Sequence, residues 1–131
     1  MVSIQEIRSI TQPDLYDTVI LQQEVSRLGY YMYPFQPKTS STMALIEVHA
    51  RSGGLAPAVA IADHQTEGRG RPGRTWYDKE GASILASVFF KLDDQSAIGP
   101  FANLIALRTC QTLQQVTGTG EIKIKYPNDL V

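Results

Sequence analysis

The sequence is poor in the residues that usually anchor metals and disulfides. Cys110 is its only cysteine, which excludes a disulfide framework and a cysteine-based metal cluster within the chain. His49 and His64 are the only histidines, and they stand too far apart for ordinary zinc-ligand spacing. No apolar run approaches the ~18 residues of a membrane-spanning helix. Nothing resembles a secretory signal either, so the cytoplasm is the expected location, without a membrane partner. An excess of one charge is also missing: 12 Lys and Arg face 13 Asp and Glu, a net charge of −1. That balance gives no global attraction to nucleic acid, so no DNA partner is expected and any anion binding must be local.

What remains is a globular composition. The chain has 131 residues and is 43% hydrophobic, enough for one core. Leu15, Val19, Val25 and Leu28 keep helical spacing over Asp14 to Leu28, with Pro13 and Asp14 at the start and Gly29 at the end. Tyr30 to Tyr33 reads as a short strand closed by Pro34 and Pro37. Ser40-Ser41-Thr42 offers capping hydroxyls ahead of a helix from Met43 to Arg51. Ala58 to Ala62 reads as a buried strand with Val59 and Ile61 on one face and only alanines on the other. A face of alanines lets a ligand or a neighbouring backbone come close. Ile84 to Phe90 is an almost continuous apolar strand, expected to be buried on both faces. A helix follows from Gly99 to about Val116, its stripe running through Phe101, Ile105, Thr109, Leu113 and Val116, with Cys110 in the core. Glu121 to Lys125 alternates, Ile122 and Ile124 inward and Lys123 and Lys125 outward. The expected fold is α/β (α+β), in the order αβαββαβ, with helices packed mainly on one face of a mixed sheet.

The most informative stretch is Gly68-Arg69-Gly70-Arg71-Pro72-Gly73-Arg74. Glycine removes bulk and permits positive φ, so backbone N–H groups can turn toward a ligand. Arginine adds a planar fork of donors suited to phosphate or carboxylate. Three neighbouring cations repel until an anion joins them, and each charge-assisted hydrogen bond contributes roughly 1.5–3 kcal/mol. The loop is therefore expected to be mobile when empty and ordered by an anionic ligand. A solvated basic loop, with surface pairs worth about 0–1 kcal/mol each, is the plain alternative. Arg69-Gly70-Arg71-Pro72 also matches the core of an AT-hook, which lays arginines in the DNA minor groove. AT-hooks sit in disordered basic sequence, whereas this loop lies between an apolar strand and Trp76.

Taken together, three stretches resemble the biotin–protein ligase family. Ser41-Thr42-Met43 resembles the family's Ser-Thr-Asn. Gln65 to Trp76 resembles its Gln-x-x-Gly-Arg-Gly-Arg-x-Gly-Arg-x-Trp, and Lys125-Tyr126-Pro127-Asn128-Asp129 its Lys-Trp-Pro-Asn-Asp. The resemblance implies a biotin/lipoate-ligase-like catalytic core at 33–131 behind an N-terminal helix and strand at 1–32, all within one domain spanning 1–131. It implies ATP and biotin as substrates with Mg2+, formation of biotinyl-5′-adenylate, and transfer of biotin to a lysine of a biotin carrier domain. By position, Ser41, Thr42, Gln65, Gly68, Arg69, Gly70, Arg71 and Lys125 would bind biotin. Arg71, Arg74, Trp76, Asn128 and Asp129 would serve the nucleotide, Asp129 as a possible metal ligand. Lys125, with Arg71, would be catalytic: an ammonium between biotin's carboxylate and the α-phosphate offsets the charge that builds on phosphorus. The glycine-rich segment of the related lipoate-attaching enzymes is missing, which favours biotin.

The pattern is incomplete in places. Met43 stands for the family's asparagine and Tyr126 for its tryptophan. The family's later strands and C-terminal part are not present, and no room precedes Ser41 for a helix-turn-helix module. The expectation is either a ligase, completed by a complementary subunit or a homodimer through an unpaired edge near Lys125, or a ligase-like module that binds biotin or its adenylate without turnover.

Overall fold

A computed structural model of the chain describes residues 17–70, 72, 74–126 and 129–131. They divide between Lys91 and Leu92 into two compact units. The first unit contains α1 (Thr18–Arg27), β1 (Tyr31–Met32), β2 (Gln36–Thr39), α2 (Thr42–Arg51), β3 (Ala58–Gln65) and β4 (Leu85–Phe89). The second contains a 3-10 turn (Gln95–Ala97), α3 (Ile98–Thr117), β5 (Ile124–Lys125) and β6 (Asp129–Leu130).

β3 is the spine of the first unit. Its Ala58 pairs with Tyr31 on one side and Phe89 on the other, and its Ala62 with Gln36 and Leu85. β1 and β2 therefore run parallel to β3 along one edge as a single interrupted strand, while β4 runs antiparallel along the other. The sheet is mixed, as expected. β2 departs from the expectation that Pro34 and Pro37 merely close a strand. Pro37 lies inside β2, and an edge strand tolerates the missing N–H.

The helices take both faces of this sheet rather than mainly one. Val59 and Ile61 pack with Met32 against Leu21 and Val25 of α1. Ala58 and Ala60, on the opposite face, pack against Leu45 and Ile46 of α2. The side chains of a strand alternate, so a strand apolar at every position needs cover on both sides. The alanine face is thus the seat of a helix. β4 is not buried on both faces: Leu85 and Ser87 are buried while Ala86 and Val88 are exposed.

Local capping explains where the helices start and stop. The Asp17 carboxylate accepts the Val19 and Ile20 N–H groups and opens α1; Pro13 and Asp14 lie outside the described residues. The Ser96 hydroxyl and N–H bond to Asp94 ahead of α3 and hold its carboxyl below the usual range. Gly118, at φ 71°, ends α3 in the left-handed region.

In the second unit α3 buries Ala106 and Cys110, a stripe displaced by one position from the expected one, with Ile105 and Val116 exposed. Gln114 and Cys110 both reach the Ile122 carbonyl, and so tie the turn after the helix back onto it. The expected strand from Glu121 shortens to β5, and Ile124 is exposed rather than inward. β5 does not lack a neighbour: it forms a hairpin with β6, extended by reciprocal bonds between Lys123 and Val131.

Candidate functional site

The first unit gathers one set of expected residues at the C-terminal end of β3. The pairing of β2 with β3 continues past the strands, with Thr66 N–H on Thr39 O and Glu67 N–H on Ser40 O. This carries the chain at Ser41 and Thr42 beside Gln65. The Gln65 Oε1 accepts the Thr42 N–H at 2.7 Å and the Thr42 hydroxyl at 3.0 Å. A helix leaves its first N–H groups without intrahelical partners, so Gln65 caps α2 from another strand. Ser41 occupies the N-cap position without making a side-chain cap bond. Ser41 is buried and lines the rim of a cleft.

Ser87 of β4 completes this polar cluster, its hydroxyl 2.8 Å from that of Thr42. The sequence reading missed it. The available signal was a hydroxyl interrupting the apolar run from Ile84 to Phe90. Around the cluster opens a cleft of about 320 Å³, bordered by Met43, Arg69, Trp76 and Ile84. That volume lies at the small end for a site that takes a small molecule. Trp76 is 56% exposed, so it is a wall of the cleft and not a core residue.

The Gly/Arg loop is a short antiparallel hairpin. Trp76 N–H bonds to Gly68 O, Gly70 N–H bonds to Arg74 O, and Arg69 bridges Thr75. Neither Gly68 nor Gly70 has positive φ, so these glycines serve close approach rather than an unusual backbone angle. A Cβ on Gly68 would stand 3.0 Å from Trp76 O and 3.3 Å from Gln65 Nε2. Among the described residues Arg69 and Arg74 make no ion pair, which leaves two exposed guanidinium groups on the hairpin. Arg71 and Gly73 lie outside the described residues.

Lys125 and Asp129 belong to the second unit, where they are cross-strand partners in the β5–β6 hairpin and both exposed. Asn128 and Pro127 lie outside the described residues. Among the described residues no group of three or more His, Cys, Asp or Glu side chains could hold a metal ion. Asp129, opposite a lysine, supplies one carboxylate, which does not fit a metal site made by the protein alone. No helix of the described residues is long and apolar enough to cross a membrane.

The chain is 36% identical over 72 residues to the bifunctional ligase/repressor BirA of Escherichia coli, which covers 53% of the chain and 22% of that protein. It is 35% identical over 109 residues to the biotin–[acetyl-CoA-carboxylase] ligase of Mycobacterium tuberculosis, 79% of the chain and 41% of that protein. The chain thus spans between about a fifth and two fifths of the length of these relatives. Its fold matches the biotin protein ligase of Leishmania major in complex with biotin, with a TM-score of 0.63 and 18% identity over 78% of the chain and 46% of that structure. It also matches the biotin acetyl coenzyme A carboxylase synthetase of Helicobacter pylori with bound biotinylated ATP, with a TM-score of 0.56 and 21% identity over 77% of the chain and 49% of that structure. The model of the biotin/lipoate A/B protein ligase family matches residues 34–131, and the chain belongs to that family.

Proposed function

We propose that the chain carries the biotin- and ATP-binding part of a cytoplasmic biotin–protein ligase. The observation that carries this reading is the cleft in which Thr42, Gln65 and Ser87 form one hydrogen-bonded cluster beneath Arg69 and Trp76. Gln65 Oε1 is already taken by two donors from Thr42, so the amide offers its NH2 group, beside the hydroxyls of Ser41 and Ser87. Such a floor suits a small, neutral, doubly hydrogen-bonding group like biotin's ureido ring. Arg69, Arg71 and Arg74 are the cations for biotin's carboxylate and the phosphates.

In the first step a carboxylate oxygen of biotin attacks the α-phosphorus of ATP and pyrophosphate leaves. In the second, the amine of a carrier-domain lysine attacks the acyl carbon and AMP leaves with the bonding electrons. Lys125 supplies the ammonium that offsets the charge of the first transition state, and Trp76, Asn128 and Asp129 serve the nucleotide. Mg2+ would come with the nucleotide phosphates.

The test is biotin-dependent exchange of labelled pyrophosphate into ATP by the 131-residue chain. Exchange is expected, and Lys125→Ala should lower its rate about a hundredfold or more. Undiminished exchange in that variant would reject the role of Lys125. Biotin binding without exchange would instead mark a ligase-like module that binds biotin without turnover.

A further inference from the structure

Two carboxylates lock the end of β3 to the segment that follows Trp76. The Asp78 side chain is fully buried, at 0% exposure. Its Oδ1 accepts the Gln65 N–H at 3.3 Å, and its Oδ2 stands 2.8 Å from His64 Nδ1. A carboxylate only accepts, so Nδ1 carries the proton of that bond. In the opposite sense, Asp63 Oδ1 of β3 accepts the Gly81 N–H at 3.2 Å. The Gly/Arg hairpin leaves β3 after Gln65 and returns through Trp76, so these contacts tie both of its feet at the base. None of Asp63, His64 and Asp78 lines the cleft.

A buried carboxylate is costly unless its oxygens are satisfied, and an ordinary turn does not need one. Here the acid acts on the backbone of the residue whose side chain caps α2 and floors the cleft. Resting on the biotin reading of that cleft, we propose that Asp78 is a positioning residue for Gln65. By holding the Gln65 N–H and His64 together, Asp78 fixes the direction in which the Gln65 side chain leaves the strand. The carboxamide then reaches Thr42 with its oxygen and meets the ligand with its NH2 group. His64 orients the acid, and the bond from Gly81 to Asp63 keeps the acid's own segment in place.

The experiment combines biotin titration with hydrogen exchange in the full chain. Asp78→Ala should weaken biotin binding about tenfold, leave ATP binding within about twofold, and leave little further loss when added to Gln65→Ala. Asp78→Asn, which keeps one acceptor for the Gln65 N–H, should recover most of the affinity. Without ligand, exchange at the Thr42 N–H should quicken in Asp78→Ala as Gln65 Oε1 loses its place. A folded Asp78→Ala chain with wild-type affinity, or a loss fully additive with Gln65→Ala, overturns the proposal. Should Asp78→Ala fail to fold, His64→Ala takes its place: a severalfold loss supports the proposal and wild-type affinity overturns it. If the wild-type chain binds no biotin, the reading of the cleft fails by itself, and Thr42 exchange then decides the role of Asp78: quickened supports it, unchanged overturns it.

Discussion

Gly68 shows how little room the Gly/Arg hairpin leaves. It is buried, and an added methyl would meet the Trp76 carbonyl, the Trp76 Cβ and the Gln65 carboxamide at 3.0–3.3 Å. Two of these three atoms belong to the opposite arm of the hairpin, so that arm must move outward. Gly68→Ala is expected to destabilise the fold by only ~1–2 kcal/mol, because the loop sits at the surface. Biotin binding should fall further, by about tenfold or more, because Trp76 and Gln65 are both displaced; calorimetric titration beside thermal unfolding separates the two effects. That a glycine at position 68 answers a local constraint was legible in the sequence, but the physical reason was not. A glycine between arginines suggests backbone freedom, whereas only coordinates reveal a carbonyl facing it across a hairpin. Ser87 and Asp78 were illegible for a related reason. Each acts through a partner more than ten positions away, Thr42 for one and Gln65 for the other.

At the scale of elements, α2 links the core to the cleft. Its Ile46, 5% exposed, packs on Ala58 and Ala60, while its first residue is the Thr42 held by Gln65. Alanines cannot swing to fill a gap. Ile46→Ala should therefore fall in the upper part of the usual range, ~3–4 kcal/mol of lost stability, read by denaturant unfolding. Biotin affinity should fall with it, since the start of the helix is loosened. Most elements were legible because their signals are local: Gly29 follows α1 with a positive φ, Gly118 ends α3, and the alternation in β3 marks two apolar faces, whereas the cap at Asp17 was not read from the sequence. β2 escaped because proline argues against a strand, and only pairing with β3 makes Gln36 to Thr39 one. Helices on both faces escaped because alanine is ambiguous, fitting a ligand's approach as well as a helix's.

For the whole molecule, the division at Lys91 and Leu92 sets two burdens on stability. Among the described residues of the second unit, Ala106 and Cys110 are the only buried apolar side chains. Units below ~70 residues rarely stand on a single core without a staple. A peptide of Leu92–Val131 alone should thus show no cooperative thermal transition by circular dichroism, whereas the intact chain should unfold cooperatively. The motif residues fall on both sides of this division, with Gln65 and Arg69 in one unit and Lys125 in the other. The interrupted edge of the first unit's sheet has a consequence of another kind. β1 and β2 expose two short runs separated by Tyr33-Pro34-Phe35, and the second run contains Pro37. An incoming strand from another molecule would find a broken ladder with a donor missing, followed by the charge of Lys38. Among the described residues that border disfavours edge-to-edge addition of another strand, and concentrated solutions should stay free of it.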